Sequence, residues 1–388
     1  MRLCVPKEIA TGERRVALIP DTVDRLVKAG IEVWVEAGAG LQAHLLDRAY
    51  EAAGARLEKS TEKLFGEAEV VVKVQRPWQN EALRRHEGDL VRQGAVWIGM
   101  IQPHRGLDAV RKLLERNVTS FALEAIPRIT RAQSMDVLSS QASVAGYKAV
   151  LLAASTLAKF LPMLVTAAGT IAPARVLVLG AGVAGLQAIA TARRLGAVVS
   201  GFDVRAAVKE QVESLGAAFL AMPMGESAEG GGGYARELSQ DTNRKIQDFL
   251  LPHVKQMDVV ITTAQVPGKT APQLISEEMV RAMRPGSVIV DLAAESGGNC
   301  ALTQADTQVE KHDVIILGPT NLPSTMALHA SQMFAKNVQS FLANITKDKQ
   351  LNLDFNDEIV KQSCITHQGQ VLHAATKALL EPAMAAGR

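Results

Sequence analysis

Residues 128–139 read Arg-Ile-Thr-Arg-Ala-Gln-Ser-Met-Asp-Val-Leu-Ser. They gather Arg128, Thr130, Arg131, Gln133, Ser134, Asp136 and Ser139 into one short polar run just ahead of an apolar helix. Such side chains hold a polar ligand through paired donors and acceptors, and the Gln133 amide can do both at once. Further on, the chain reads Arg175-Val-Leu-Val-Leu-Gly180-Ala-Gly182-Val-Ala-Gly185-Leu. A buried strand that flows through Gly-x-Gly-x-x-Gly into a helix is how proteins hold a dinucleotide pyrophosphate. Gly180 gives the tight turn, Gly182 the close backbone approach, Gly185 the close helix–strand packing, and the helix start the positive dipole end. Asp203 stands at the end of the next predicted strand, Val198–Phe202. There it would accept hydrogen bonds from the adenosine ribose hydroxyls and repel a 2′-phosphate, which predicts NAD(H) over NADP(H). Arg205 tempers this expectation, since an Arg near that position can pair with a phosphate; the simpler reading is a helix-start residue.

Strands and helices must alternate to place these residues, and the pattern does so from the start. Strands are predicted at Leu3–Val5, Glu32–Glu36, Val70–Val74, Ala95–Ile101 and Thr119–Leu123, with helices near Thr22–Ala29, Glu62–Phe65, Gln79–Glu87 and Gly106–Arg116. A second series, Arg175–Leu179, Val198–Phe202, Ala218–Leu220, Val259–Thr262, Ser287–Asp291 and Val314–Leu317, predicts a complete dinucleotide-binding sheet. Helices at Ser139–Phe160 and about Thr325–Leu342 join the two, and short strands follow near Leu351–Phe355 and Cys364–Thr366. The fold class is therefore α/β, two Rossmann-like doubly wound domains with a cleft between them. Because the tail is too small to fold alone, the second domain is expected to be inserted in the first: 1–135 plus 331–388 around 136–330. Thr263 and Ala264 follow a strand on the ligand side of the second sheet. The run Asp291-Leu-Ala-Ala-Glu295-Ser-Gly-Gly-Asn299 does the same one strand later, with Asp291 as a ligand contact or a turn cap. Met222 to Tyr234, with four consecutive glycines ending at Gly233, reads as a lid or a tolerated insertion.

Composition narrows the function further. A formal net charge of +2, with acids and bases intermixed, leaves no stripe for nucleic acid. The longest apolar helical run, Ala149 to Ala158, is too short to cross a bilayer, so no direct membrane insertion is expected. The start Met1-Arg-Leu-Cys-Val-Pro6 lacks a signal peptide, which points to the cytoplasm and makes the Asn-x-Thr triplets at Asn117 and Asn344 chance matches. Cys4, Cys300 and Cys364 are far apart, and the eight histidines show no ligand spacing, so neither a disulfide framework nor a metal is expected. Gly268-Lys269-Thr270 lacks the earlier glycine of a P-loop.

Over nearly its full length the chain resembles the NAD(H)-binding domain I of proton-translocating NAD(P) transhydrogenases. The resemblance rests on Arg2-Leu-Cys-Val-Pro6-Lys-Glu, Glu13-Arg-Arg15-Val-Ala, Pro127-Arg-Ile-Thr-Arg-Ala-Gln133-Ser-Met-Asp, Gly180-Ala-Gly-Val-Ala-Gly-Leu-Gln187, Val208-Lys-Glu-Gln-Val-Glu-Ser-Leu215 and Pro267-Gly-Lys-Thr-Ala-Pro272. It implies that Arg128, Gln133, Asp136 and Ser139 surround the nicotinamide, with Arg128, Gln133 and Asp136 at the reacting end. It places Val183 by the glycine turn and Asp203, Val204 and Arg205 at the ribose. It adds Gly233, Tyr234, Gln247 and position 265, where this chain has Gln265 in place of the usual Leu. It also implies a homodimer on the inner face of the cell membrane, docked on membrane-embedded subunits, one holding NADP(H). The alpha subunit would then be split, with its membrane portion encoded separately.

The same fold serves alanine dehydrogenases, the main alternative reading, which use a Lys and a His for proton transfer. The corresponding positions here are Gln75 and Gln102, which cannot act as acid or base near neutral pH. Arg15 persists for packing or salt bridging, and Lys73 is a weaker replacement on the same strand face. A non-catalytic NAD-responsive binding module is a third reading.

Overall fold

A computed structural model describes residues 1–222, 239–265 and 269–385. The chain divides into two compact units: Met1–Gln141 with Ser324–Arg388, and Ala142–Pro323. One dividing point falls inside a helix and the other just before one. Gln141 lies in the helix Val137–Thr156, and Ser324 precedes the helix Ala327–Asn344. Both points therefore differ from 135 and 330, because the first turn of one helix and the start of the other pack with the first unit.

The first unit is built on an eight-stranded sheet in the order Gln370–Val371, Cys364–His367, Thr119–Ala122, Val96–Gly99, Val70–Val72, Arg2–Val5, Glu32–Glu36, Arg56–Glu58. The strands from Thr119–Ala122 to Arg56–Glu58 are parallel, while the two C-terminal strands join antiparallel. Parallel strands buried on both faces need continuous apolar runs. Val-Val-Val at Val70–Val72 and Val-Trp-Ile-Gly at Val96–Gly99 supply them and are wholly buried. Strand order reverses between Arg2–Val5 and Val70–Val72, the kind of crevice where doubly wound sheets bind ligands.

The second unit holds seven strands in the order Ala218–Phe219, Val198–Phe202, Arg175–Leu179, Val259–Thr262, Val288–Asp291, Val314–Leu317, Gln308–Lys311. All are parallel except the last, an antiparallel edge. Here the order reverses between Arg175–Leu179 and Val259–Thr262, and the glycine turn leaves the first of these strands at that point.

Residues 79–87, expected as a helix, form instead a short antiparallel pair, Gln79–Asn80 with Arg85–His86. Asn80 Oδ1 accepts from Leu83 N at 3.0 Å, and Arg84 takes φ 52°, so the side chain of Asn80 turns the backbone where a helix would have continued. A hairpin of Leu164–Thr166 and Gly169–Ile171 also lies outside the expected elements, and so do the edge strands Arg56–Glu58, Gln308–Lys311 and Gln370–Val371.

Candidate functional site

In the second unit the glycines take the forms the sequence implied. Gly180 has φ +95°, in the left-handed region that favours glycine. A Cβ on Gly185 would sit 1.8 Å from the Gly180 carbonyl oxygen, so helix and strand touch there and only glycine fits. A Cβ on Gly182 would meet nothing within 4 Å. Gly182 also starts the helix Val183–Arg194 with no side-chain cap, so the first-turn N–H groups and the helix dipole face an open cradle. Close approach at Gly185, open space at Gly182 and an uncapped helix start fit the pyrophosphate of a dinucleotide.

Neighbouring strand ends close around this turn. Thr263 Oγ1 donates to the Gly180 carbonyl at 3.0 Å. Ala264 exchanges hydrogen bonds with Asn299, N to Oδ1 at 3.0 Å and Nδ2 to O at 2.8 Å, and Gln265 Nε2 donates to the Leu292 carbonyl at 2.8 Å. Asn299 ends the run from Asp291 that follows the next strand, and the Gly297-Gly298 pair before it, both with positive φ, marks the turn that aims it. Asp291 serves as a turn hub: its buried carboxylate accepts from Thr262, Ala293, Asn299, Cys300 and Thr303. Gln247, on the helix Gln240–Val254, donates to the Gln273 carbonyl at 2.7 Å. Val183 is exposed at the helix start, and Val204 is half-buried beside Asp203.

Asp203 is more committed than expected. Its Oδ2 accepts from Ala181 N at 2.7 Å and Arg205 Nη2 at 2.8 Å; its Oδ1 accepts from Arg205 N and Arg205 Nε, both at 2.9 Å. Arg205 thus starts a helical turn, as the sequence suggested, and also folds its guanidinium back onto Asp203. A carboxylate has about four acceptor positions. Ribose hydroxyls would share or displace the Arg205 contacts.

In the first unit, Thr130–Met135 forms a 3₁₀ turn pinned by buried Ala132 and Met135. Gln133 is exposed on it. Arg128 Nε lies 3.9 Å from Asp136 Oδ2, and Asp136 holds Ser139 through both its backbone N (2.8 Å) and its hydroxyl (2.6 Å). Arg128, Asp136 and Ser139 are therefore one group, with Gln133 a turn away. Gly233 and Tyr234 lie outside the described residues.

Of the two positions singled out for an amino-acid dehydrogenase, Gln75 is half-buried beside a charge network and Gln102 is half-buried beside Glu124. Lys73 is fully buried and donates to both oxygens of Glu87 at 2.7 and 2.8 Å, with Glu8 Oε2 3.6 Å away. Burial would lower the Lys73 ammonium, but Glu8 and Glu87 outweigh it and hold it above its ordinary value. Gln75 Nε2 donates to Glu13 Oε2 at 2.8 Å. Arg15 forks onto the same Glu13 at 2.8 and 2.6 Å and reaches Gln141 Oε1 at 2.9 Å, which is the salt-bridging role expected of it. Burial would raise the Glu13 carboxyl, yet Arg15 and Gln75 bring it down to about 2. Burial pushes Glu8 up to about 7. It does the same to Glu124, which accepts from Gln102 N at 2.6 Å. Lys73 and Gln75 are thus tied down, and Gln102 sits at a left-handed φ of 46°. Among the described residues no group of His, Cys, Asp and Glu could hold a metal ion, and no helix is long and apolar enough to cross a membrane.

Known proteins resemble this chain over nearly its whole length. The N-terminal domain of the alanine dehydrogenase/PNT family matches residues 4–145, and its C-terminal domain matches residues 149–374. An NAD(P) transhydrogenase alpha-subunit chain of Rhodospirillum rubrum is 48% identical over 379 residues, 97% of this chain and 98% of that protein. An alanine dehydrogenase of Methanococcus maripaludis is 30% identical over 335 residues, 84% of this chain and 82% of that protein. The crystal structure of transhydrogenase from Sinorhizobium meliloti superposes with a TM-score of 0.83 at 43% identity, covering 97% of this chain and all of that one. The chain belongs to the alanine dehydrogenase/PNT family.

Proposed function

We propose that this chain is the NAD(H)-binding component of a proton-translocating transhydrogenase. In this reading it passes hydride directly from NADH to NADP⁺ held on a partner subunit, and the transfer is coupled to proton movement in membrane-embedded subunits. The observation that carries the reading is the commitment of Lys73 to Glu87 and of Gln75 to Glu13 in the first unit, in a chain whose second unit keeps an open glycine cradle. Oxidation of an amino acid needs a group to move its proton. Transfer between two nicotinamides needs none, only reacting carbons held roughly 3–3.5 Å apart. The higher identity to the transhydrogenase subunit than to the alanine dehydrogenase supports the same choice.

Bound NADH supplies the hydride. Gly180, Gly182 and Gly185 would hold its pyrophosphate, with Asp203, Val204 and Arg205 at the adenosine ribose and Val183, Gln247, Thr263, Ala264 and Gln265 around them. Arg128, Asp136 and Ser139 would contact the nicotinamide, and Gln133 would align it with the partner's ring. Two copies would assemble, peripheral on the inner face of the cell membrane. The Leu164–Thr166 and Gly169–Ile171 hairpin suits that contact, because a lone two-stranded pair is marginal in water and this one carries Met163, Val165 and Ile171 at 60%, 74% and 42% exposure. Val165→Asp should then give a monomer in sedimentation.

The test mixes the purified chain with a transhydrogenase NADP(H)-binding domain and follows reduction of an acetylpyridine NAD analogue. Transfer is expected, and L-alanine with NAD⁺ should give no NADH. NADH from L-alanine, or tight NADH binding with no transfer to any acceptor, would overturn the proposal. Gln133→Asn should slow transfer on the order of 100-fold with little change in NADH affinity.

A further inference from the structure

The turn that carries Gln133 is held from the far end of the chain. Asn337, on the helix Ala327–Asn344 and 8% exposed, donates from Nδ2 to the Ser134 carbonyl at 2.8 Å. On the other side of Gln133, Arg131 forks onto Asp357, Nη1 to Oδ2 at 2.9 Å and Nη2 to Oδ1 at 2.6 Å. Asn344 braces the fork, accepting from Arg131 Nη1 at 3.3 Å and donating to Asp357 Oδ2 at 3.0 Å. Asp357 is fixed in turn as the cap of the helix Glu358–Ser363 through Ile359 N at 2.8 Å. A 3₁₀ turn has poor hydrogen-bond geometry of its own, so its shape depends on such outside contacts. With Ala132 and Met135 buried as well, every residue flanking Gln133 is anchored while Gln133 stays exposed.

We propose that Asn337 and Asp357 are positioning residues: they clamp residues 131 and 134 so that the exposed Gln133 amide is presented at one fixed place. This rests on the reading that Gln133 aligns the two nicotinamides. Neither residue touches cofactor. Asn337 acts on the turn through the Ser134 carbonyl and Asp357 through the Arg131 side chain, and a displacement there of a fraction of an ångström is enough to change the rate of a transfer that depends on near-contact geometry.

The test uses the full chain with Asn337→Leu, which keeps volume but removes the donor, and Asp357→Asn, at a more exposed contact, which keeps shape but removes the negative charge and one of the two acceptor oxygens. Hydrogen exchange of the ligand-free protein should show amides 130–136 exchanging about tenfold faster in both variants, with the central strands of both sheets unchanged. NADH affinity should stay within about twofold, and transfer to the NADP(H)-binding domain should fall about tenfold. In a Gln133→Asn background neither substitution should slow transfer further, because both act through the residue already displaced. Unchanged exchange in the Asp357→Asn chain would overturn the clamp, and so would effects that simply add to that of Gln133→Asn. Faster exchange with normal transfer would also overturn it while leaving the transhydrogenase reading intact. Absence of transfer in the unaltered chain, or normal transfer in Gln133→Asn, would instead overturn the reading on which the clamp rests.

Discussion

Each unit of this protein carries a doubly wound sheet with a reversal of strand order, yet the two reversal points have opposite chemistry. In the second unit the described residues leave an uncapped helix start open between the glycines, with Asp203 beside it. In the first unit the crevice beside Arg2–Val5 and Val70–Val72 is filled with Glu8, Glu13, Arg15, Lys73 and Glu87, all buried and nearly all hydrogen-bonded to one another. A fold supplies a place for a ligand, and the side chains decide whether that place stays open. Donors left unpaired recruit an anion, whereas donors paired internally give only stability.

The sharpest way to break this contrast is at Lys73. Lys73→Met leaves the Glu8 and Glu87 carboxylates buried without their cation and should destabilise the first unit by about 3–5 kcal/mol. Trp34, Trp78 and Trp97 are the three tryptophans and all lie in that unit, so their fluorescence during urea unfolding reports it directly. NADH affinity under native conditions should be unchanged. A large loss of affinity would mean that the first crevice still serves the ligand.

Next in size is the glycine turn. Gly185→Ala forces a Cβ against the Gly180 carbonyl and should cost about 1–3 kcal/mol of stability along with NADH binding. Gly182→Ala meets open space, so it should leave stability alone and weaken only NADH binding, as calorimetry can show. Equal effects of the two on stability would dissolve the distinction between a packing glycine and a cradle glycine.

Glu8 gives the charge network a pH signature. Its carboxyl rises from 4.5 to about 7 on burial. Between those values the folded chain keeps a proton that the unfolded chain has released, so stability falls as pH rises through that window. Glu8→Gln is neutral throughout and should gain on the parent chain by on the order of 1–3 kcal/mol between pH 4.5 and pH 8. A flat difference across that range would place the proton elsewhere in the network.

The smallest effect is expected at Arg205. With its guanidinium on Asp203, some of the carboxylate charge is already compensated. Arg205→Ala should sharpen the preference for NADH over NADPH by about tenfold, since an unpaired charge repels a 2′-phosphate more strongly. Relaxed discrimination would show that Arg205, rather than Asp203, does the choosing.

The glycine turn and its strand were legible in the sequence because their signals are local: an apolar run, three glycines at fixed spacing and an Ala-rich helix. The polar run at 128–139 was legible as a group for the same reason. What was not legible depends on partners distant in the chain. Lys73 looked like a candidate base until Glu87 and Glu8 closed over it, and nothing near residue 131 announces Asp357. The Gln79–Glu87 segment was misread because the one residue that decides it, Asn80, acts through a side-chain contact to the backbone. The edge strand Gln308–Lys311 was missed because its Gln, Glu and Lys suit an exposed edge and break the apolar pattern.

The loop at residues 12–15 does more than join two elements. Arg15 holds Gln141, and Ser324 accepts from Arg14 N at 2.6 Å while donating to the Gly12 carbonyl at 2.7 Å. These are the two places where the chain leaves the first unit and comes back. Residues 142–323 are therefore a cassette whose stubs are stitched to a single short segment of the host. Replacing the cassette with a short linker is expected to leave the host folded, with its three tryptophans as buried by fluorescence as in the whole chain.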